Sequence, residues 1–108
     1  MPYFAYTNRN NDYKLNVFKT AQEAAEWAIS TLNGDYKDAF GIEDGKLVRY
    51  NKYVDFSLLV TDNWRNLLIE IIECSEGDED GDTFMPLILN MFALAVAKSN
   101  LMTVTEEN

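Results

Sequence analysis

Histidine is absent from this chain of 108 residues, and cysteine occurs once, at Cys74. Histidine is the commonest general base near neutral pH and the commonest transition-metal ligand, and thiolates are its usual substitute in metal sites. Their scarcity argues against imidazole catalysis, a zinc or iron centre and an internal disulfide. A Gly-rich phosphate loop and a nucleophile elbow are also missing. We therefore predict a protein that is not an enzyme and holds no cofactor or metal.

Basic residues are scarce as well, since 9 Lys and Arg stand against 18 Asp and Glu, for a net charge of −9. Residues 70–108 alone carry −8. The electrostatic field of this negative charge repels nucleic acids and anionic lipids and attracts basic surfaces. The N-terminus also lacks an apolar segment preceded by basic residues, the pattern of a secretory signal. The sequence thus predicts a cytoplasmic protein that binds neither nucleic acid nor membrane directly.

The negative charge is densest in residues 70–82, which we call the acidic segment. It holds seven carboxylates and neither Lys nor Arg. Carboxylates held along a helix and a tight loop can imitate the phosphates of a nucleic-acid strand. The predicted partner is therefore a protein with a basic surface, such as a nuclease, a toxin or another nucleic-acid-binding protein. The residues predicted to contact it are Glu70, Glu73, Glu76, Asp78, Glu79, Asp80 and Asp82.

Two apolar runs flank the acidic segment. The first has the spacing of a helix with one buried face, begins at the candidate N-cap Asp62, and places Glu70 and Glu73 opposite that face. The second, residues 84–97, is apolar nearly all round, which predicts either a central core helix or one side of a dimer. At 14 residues it is shorter than the roughly 20 needed to cross a bilayer. The buried face of the first run is predicted to comprise Trp64, Leu67, Leu68, Ile71 and Ile72.

The N-terminal half predicts strands and one helix. Residues 3–7 and 13–19 are rich in aromatic and β-branched types and flank a polar turn, which indicates a β-hairpin. Thr20 and Glu23 form a capping box, so a helix should begin at Ala21 and bury a narrow alanine stripe. The chain then reaches a turn at 43–45.

Beyond that turn, residues 46–50 are predicted to pair with 53–60 in a second hairpin. Part of 56–60 could instead begin the next helix, because a short apolar run does not distinguish the two. The order ββαββαα predicts an α+β fold, with a mostly antiparallel sheet and the helices packed on one face. Residues 1–102 would form this single domain, and 103–108 a frayed polar tail.

The loop from Asp78 to Asp82 begins like a calcium-binding EF-hand, with aspartates at alternate positions. That motif requires glycine at its sixth position and glutamate at its twelfth, and these positions hold Thr83 and Leu89. The departures predict that calcium is not bound specifically.

A basic face on the hairpins is a second alternative, with Tyr3, Tyr6 or Tyr50 stacking on RNA bases. The surrounding negative charge and the lack of a ribonucleoprotein motif argue against it. Its cationic residues would be Arg9, Lys14, Lys19, Lys46, Arg49 and Lys52.

The function predicted from these features is that of a small acidic inhibitor or binding protein. In size and charge the chain resembles phage-encoded inhibitors of host defence nucleases, among them the anti-CRISPR and anti-restriction types, and toxin immunity proteins, an analogy that no motif supports. The alternative is a structural or assembly protein, in which the acidic segment only gives solubility. In that case the second apolar helix would form a homodimer through Leu89, Ala93 and Val96. A homodimer is compatible with the first function too.

Overall fold

The computed structural model describes residues 2–9, 12–31, 37–51, 57–75 and 81–107. Within these ranges the chain forms five strands and three α-helices. In chain order they are β1 (Tyr3–Arg9), β2 (Asp12–Phe18), α1 (Ala21–Ser30), a short 3-10 helix (Lys37–Ala39), β3 (Phe40–Glu43), β4 (Lys46–Arg49), β5 (Ser57–Thr61), α2 (Trp64–Ser75) and α3 (Gly81–Glu107). The predicted α+β class is confirmed, and the element order differs from the prediction by one additional strand, β3.

The predicted first hairpin is confirmed. β1 and β2 pair antiparallel along their whole length, from Tyr3 opposite Phe18 to Arg9 opposite Asp12. β1 is the central strand of a three-stranded sheet in the order β2-β1-β5. β2 and β5 are therefore the edge strands of this sheet.

The predicted second hairpin is wrong. β4 pairs with β3 in a separate two-stranded sheet, and β5 pairs with β1. Asp44 and Gly45 explain the β3–β4 pairing, because both have positive φ, 54° and 74°. Two such residues in succession make the tight turn that best matches the twist of a two-residue hairpin. Residues 53–56 of the predicted strand lie outside the described residues.

Helices cover both faces of the three-stranded sheet, which corrects the prediction that they pack on one face. Successive side chains of β1 point to opposite faces. Phe4 and Tyr6 join the core formed with α2 and α3, whereas Ala5 joins the core formed with α1. The sheet is therefore the middle layer of the domain.

The first helix matches its prediction closely. It begins at Ala21, and the Thr20 hydroxyl accepts a hydrogen bond from the Glu23 amide at 3.1 Å. Ala24, Ala25 and Ala28 are completely buried. Because these side chains are small, α1 approaches the sheet closely.

The Thr20 cap gives a simple stability prediction. Thr20→Ala should lower the free energy of unfolding by about 1 kcal/mol, since one amide of the first turn loses its acceptor. Thr20→Ser keeps the hydroxyl and is the matched control. Urea denaturation of the three proteins at one chain concentration measures the difference. Equal urea midpoints for the alanine and serine variants would show that the Thr20 hydroxyl does not stabilise the start of α1.

The second helix begins one residue later than the predicted cap implies. Asn63, not Asp62, is the N-cap: its side-chain oxygen accepts from the Arg65 amide at 2.9 Å. The predicted buried face is also narrower than expected. Leu67 and Ile71 are completely buried, but Trp64 and Ile72 are exposed. The helix thus touches the rest of the domain along a narrow line.

The third helix is much longer than predicted, with 27 residues in place of 14. It continues through residues 103–107, which corrects the predicted polar tail, because residues 98–107 contain neither Gly nor Pro to end it. Pro86 is the sixth residue of the helix. The segment Met85–Thr103 is long and apolar enough to cross a membrane, so the argument from a length of 14 residues does not hold.

Of the three dimer contacts predicted on α3, only Val96 is contradicted by the structure. Val96 is half-buried and packs against the core of the domain, whereas Leu89 and Ala93 are exposed. Leu87 is exposed as well. The inward face of α3 includes Ile88, Phe92 one turn further on and Ala95 two turns further on.

Candidate acidic interface

The acidic segment connects the C-terminal end of α2 to the N-terminal end of α3. Glu70 and Glu73 lie on α2, and Asp82 is the second residue of α3. The other four predicted contact residues, Glu76, Asp78, Glu79 and Asp80, lie in 76–80, outside the described residues. The structure therefore brings the two helical ends of the segment to one end of a helix pair.

Glu73 lies on the side of α2 away from the buried Leu67 and Ile71, as predicted, whereas Glu70 lies on the flank of the helix. Glu70 is half-buried because it immediately precedes the buried Ile71. Glu73, one turn nearer the C-terminus, is exposed. The outward face carries two isoleucines, Ile69 and Ile72, whose exposed fractions are 53% and 43%. The two glutamates are thus bordered by an apolar surface, of which Ile72 was predicted to belong to the buried face.

Glu73 occupies an electrostatically unfavourable position. It lies in the last turn of α2, where the helix dipole is negative, and this turn contains no basic residue. A carboxylate at this end destabilises a helix by about 0.3–1 kcal/mol. Asp82, by contrast, lies in the first turn of α3, where a negative charge is stabilising. The charge at the end of α2 is therefore not explained by the stability of that helix.

The described residues contain no group of three or more His, Cys, Asp and Glu side chains placed to hold a metal ion. Four of the segment's carboxylates lie outside this description. That the chain binds neither calcium nor a transition metal stays a prediction.

The alternative basic RNA-binding sheet is not compatible with the fold. Helices cover both faces of the three-stranded sheet, and Tyr6 is buried in the core with α2 and α3. Tyr50 is exposed, but it belongs to the separate β3–β4 region, beside Arg49. The Arg49 guanidinium lies over the Phe40 ring, at 5.6 Å from its centroid. The predicted cations are therefore dispersed: Arg9 and Lys14 lie on the three-stranded sheet, Lys46 and Arg49 on the two-stranded sheet, and Lys19 follows β2. Lys52 lies outside the described residues.

One cleft was not foreseen from the sequence. It lies between β4 and the outer edge of β5 and has a volume of about 510 Å³. Lys46 and Asp62 contribute opposite charges to walls that are otherwise mostly apolar. No local signal could reveal it, because its walls meet only when β5 pairs with β1 and not with β4.

The arrangement around the acidic segment can bind a cationic surface, but among the described residues it offers no nucleophile paired with a base. Its chemical content is negative charge beside exposed aliphatic side chains. No family model, curated protein or solved structure matches this chain.

Proposed function

We propose that this protein is a non-enzymatic binding protein whose acidic segment, residues 70–82, engages a basic surface of a partner protein and blocks it. The observation that carries the proposal is the concentration of charge: −8 of the net −9 falls in residues 70–108. The axial spacing supports imitation of a nucleic acid. Glu70 and Glu73 are about 4.5 Å apart along the helix axis, close to the roughly 3.4 Å between charges of one DNA strand.

The exposed isoleucines support a protein as the partner. Protein interfaces combine an apolar centre with a polar rim, and charged residues are depleted at the centre. Ile69 and Ile72 provide apolar area next to Glu73 on the outward side of α2. A bare polyanion mimic would need no such area. In this proposal the isoleucines form the apolar contact with the partner, and the carboxylates attract its basic surface and fix its orientation.

The class of partner follows from the charge. A surface basic enough to accept seven carboxylates is typical of nucleases, toxins acting on nucleic acid and other nucleic-acid-binding proteins. The proposed action is that of an inhibitor in the cytoplasm, of the kind used in phage counter-defence or toxin immunity. Binding covers the partner's nucleic-acid site, and no substrate is turned over.

The test compares two variants with the same net charge. The first changes Glu76, Asp78, Glu79, Asp80 and Asp82 to their amides. The control changes Glu23, Glu26, Asp38, Glu43 and Asp44 to their amides; these are exposed residues of α1, the 3-10 helix, the end of β3 and the β3–β4 turn. Each variant and the wild-type chain are used to capture proteins from an extract of the source organism, and captured proteins are identified by mass spectrometry.

We expect the wild-type chain and the control to retain the same basic protein, and the acidic-segment variant to retain at least tenfold less. The affinity of the wild-type chain for that protein should also fall by about tenfold or more between 50 and 500 mM NaCl, because ionic contacts are screened. An acidic-segment variant that binds as tightly as the wild-type chain would refute the proposal. Equal losses in both variants would assign the effect to net charge and not to this segment.

A further inference from the structure

The outward side of α3 carries the most exposed large apolar side chains among the described residues. Only 17% of the most apolar window in Met85–Thr103 is buried. Leu87, Leu94 and Leu101 are exposed by 55%, 71% and 70%. They follow one another at intervals of seven residues, the repeat that keeps one seam of a helix against a second helix. We call these three side chains the leucine ridge; it is about 21 Å long.

A groove runs beside the ridge, between α3 and the edge strand β2. Its volume is about 200 Å³. Lys98 spans its rim, with its ammonium nitrogen 3.4 Å from the Asn16 side-chain oxygen. Leu94 belongs to both the ridge and the groove. The lining residues are Leu15, Asn16, Val17, Met91, Leu94, Ala95 and Lys98.

We propose that the leucine ridge and this groove form the interface of a homodimer, in which two α3 helices pack antiparallel about a two-fold axis near Leu94. A two-fold interface uses the same patch on both copies, so the patch must contain both the projection and the recess that receives it. This surface contains both, side by side. In the dimer Leu87 meets Leu101 of the second copy, and the two Leu94 side chains meet at the axis.

Charge selects the antiparallel arrangement. A parallel pair would bring two acidic segments together, each with seven carboxylates. The antiparallel pair separates their helical ends by about 36 Å, well beyond the roughly 8 Å over which charges interact in physiological salt. The N-terminal end of each α3 then lies near the C-terminal end of the second copy's α3, whose sequence contains Glu106 and Glu107. Repulsion is reduced but not removed, so added salt should strengthen the dimer.

The size of the surface is adequate for such an interface. The apolar part of α3 is about 28 Å long, and helix and edge strand together are about 15 Å wide. The product is a flat area of about 400 Å². Because side chains project from it, the accessible area is larger and approaches the roughly 800 Å² that each partner buries in a complex of standard size.

A second copy fits this surface better than a lipid bilayer does. The opposite side of α3 packs on the sheet through Ile88 and Ala95, so the helix is an integral layer of the domain. Its exposed side carries Asn90, Lys98 and Asn100 among the apolar residues. Polar side chains are costly in hydrocarbon, and the net charge of −9 repels anionic lipid surfaces.

Sedimentation equilibrium of the full chain tests the proposal at 1–100 µM. We expect a dimer whose dissociation constant falls about threefold or more between 20 and 500 mM NaCl, the reverse of the salt dependence expected for binding a basic partner. Leu94→Glu should give a monomer that keeps its circular dichroism spectrum, because two charges would meet at the axis. Leu89→Glu makes the same change on the other flank of α3 and should leave the dimer intact.

Cross-linking tests the orientation with a smaller change. In a Cys74→Ser background, Leu94→Cys should form a disulfide with its own copy under mild oxidation. Leu87→Cys and Leu101→Cys should cross-link to each other when mixed, and neither should cross-link to itself.

A chain that stays monomeric across this range, a dimer that survives Leu94→Glu, or self-linking at position 87 would each overturn the proposal. So would flotation of a monomer with phosphatidylcholine vesicles that is lost on Leu94→Glu, which would assign the ridge to lipid. The outcome is separate from that of the proposed function, because the acidic-segment amide variant should still dimerise.

Discussion

Leu67→Ala is expected to lower the free energy of unfolding by about 3 kcal/mol, within a range of about 2–5 kcal/mol for a fully buried leucine. Leu67 is completely buried where α2 meets the sheet, in one cluster with Phe4, Tyr6 and Ile88. Truncation removes apolar contacts from both the sheet and α3. The cavity left by the truncation cannot close easily, because β1, α2 and α3 pack against one another around it.

Urea denaturation, followed by tryptophan fluorescence and circular dichroism at one chain concentration, measures this effect. A fixed concentration is needed because dimerisation would make the midpoint depend on it. Leu89→Ala is the matched control: the same atoms are removed from an exposed position on α3, and a loss below about 1 kcal/mol is expected. If the two variants were equally destabilised, Leu67 would not be at the centre of the core.

The sequence predicts an element correctly where a side chain satisfies a hydrogen-bonding or conformational need of residues close to it in the chain. Thr20 provides a hydroxyl to the amide three residues on, and this marks the start of α1 correctly. The polar turn after β1 likewise marks the first hairpin. Such interactions span a few residues, so they can be inferred without knowledge of the fold.

Strand partners could not be inferred in the same way. β5 pairs with β1, whose residues lie 49 to 57 positions earlier in the chain, and nothing in the short apolar pattern of β5 distinguishes this partner from β4. β3 was not predicted at all, because Gly41 interrupts a segment of only four residues. In the fold the ring of Tyr50 lies over Gly41 and fills the space of the missing side chain. That compensation comes from the residue that follows β4.

The candidate site shows the same division. The acidic residues can be named from the sequence, because charge density is a local property. The exposure of Ile72 cannot be inferred from the sequence, because periodicity defines an apolar stripe and not how much of its width the rest of the domain covers. Similarly, the apolar composition of α3 indicated that the helix needs covering on several sides. The sheet covers only the side around Ile88, and the leucine ridge is left exposed.

The contact between α1 and the sheet leads to the second large expected effect. Ala28→Leu should lower the free energy of unfolding by about 1–3 kcal/mol, although leucine and alanine have similar helix propensities. Ala28 is completely buried in a cluster with Ala5 and Ala24, so three added carbon atoms have no space unless the helix moves away from β1. Moving the helix would separate Trp27 from Phe18, whose rings are 5.7 Å apart.

The matched control for this overpacking is Ala93→Leu, at an exposed position of α3, which should change stability by less than about 0.5 kcal/mol. Urea midpoints of the two variants and the wild-type chain measure the difference. Near-ultraviolet circular dichroism of Ala28→Leu should change as well, because Trp27 would lose its fixed contact with Phe18. A stable Ala28→Leu protein with an unchanged spectrum would mean that α1 lies farther from the sheet than its buried alanines indicate.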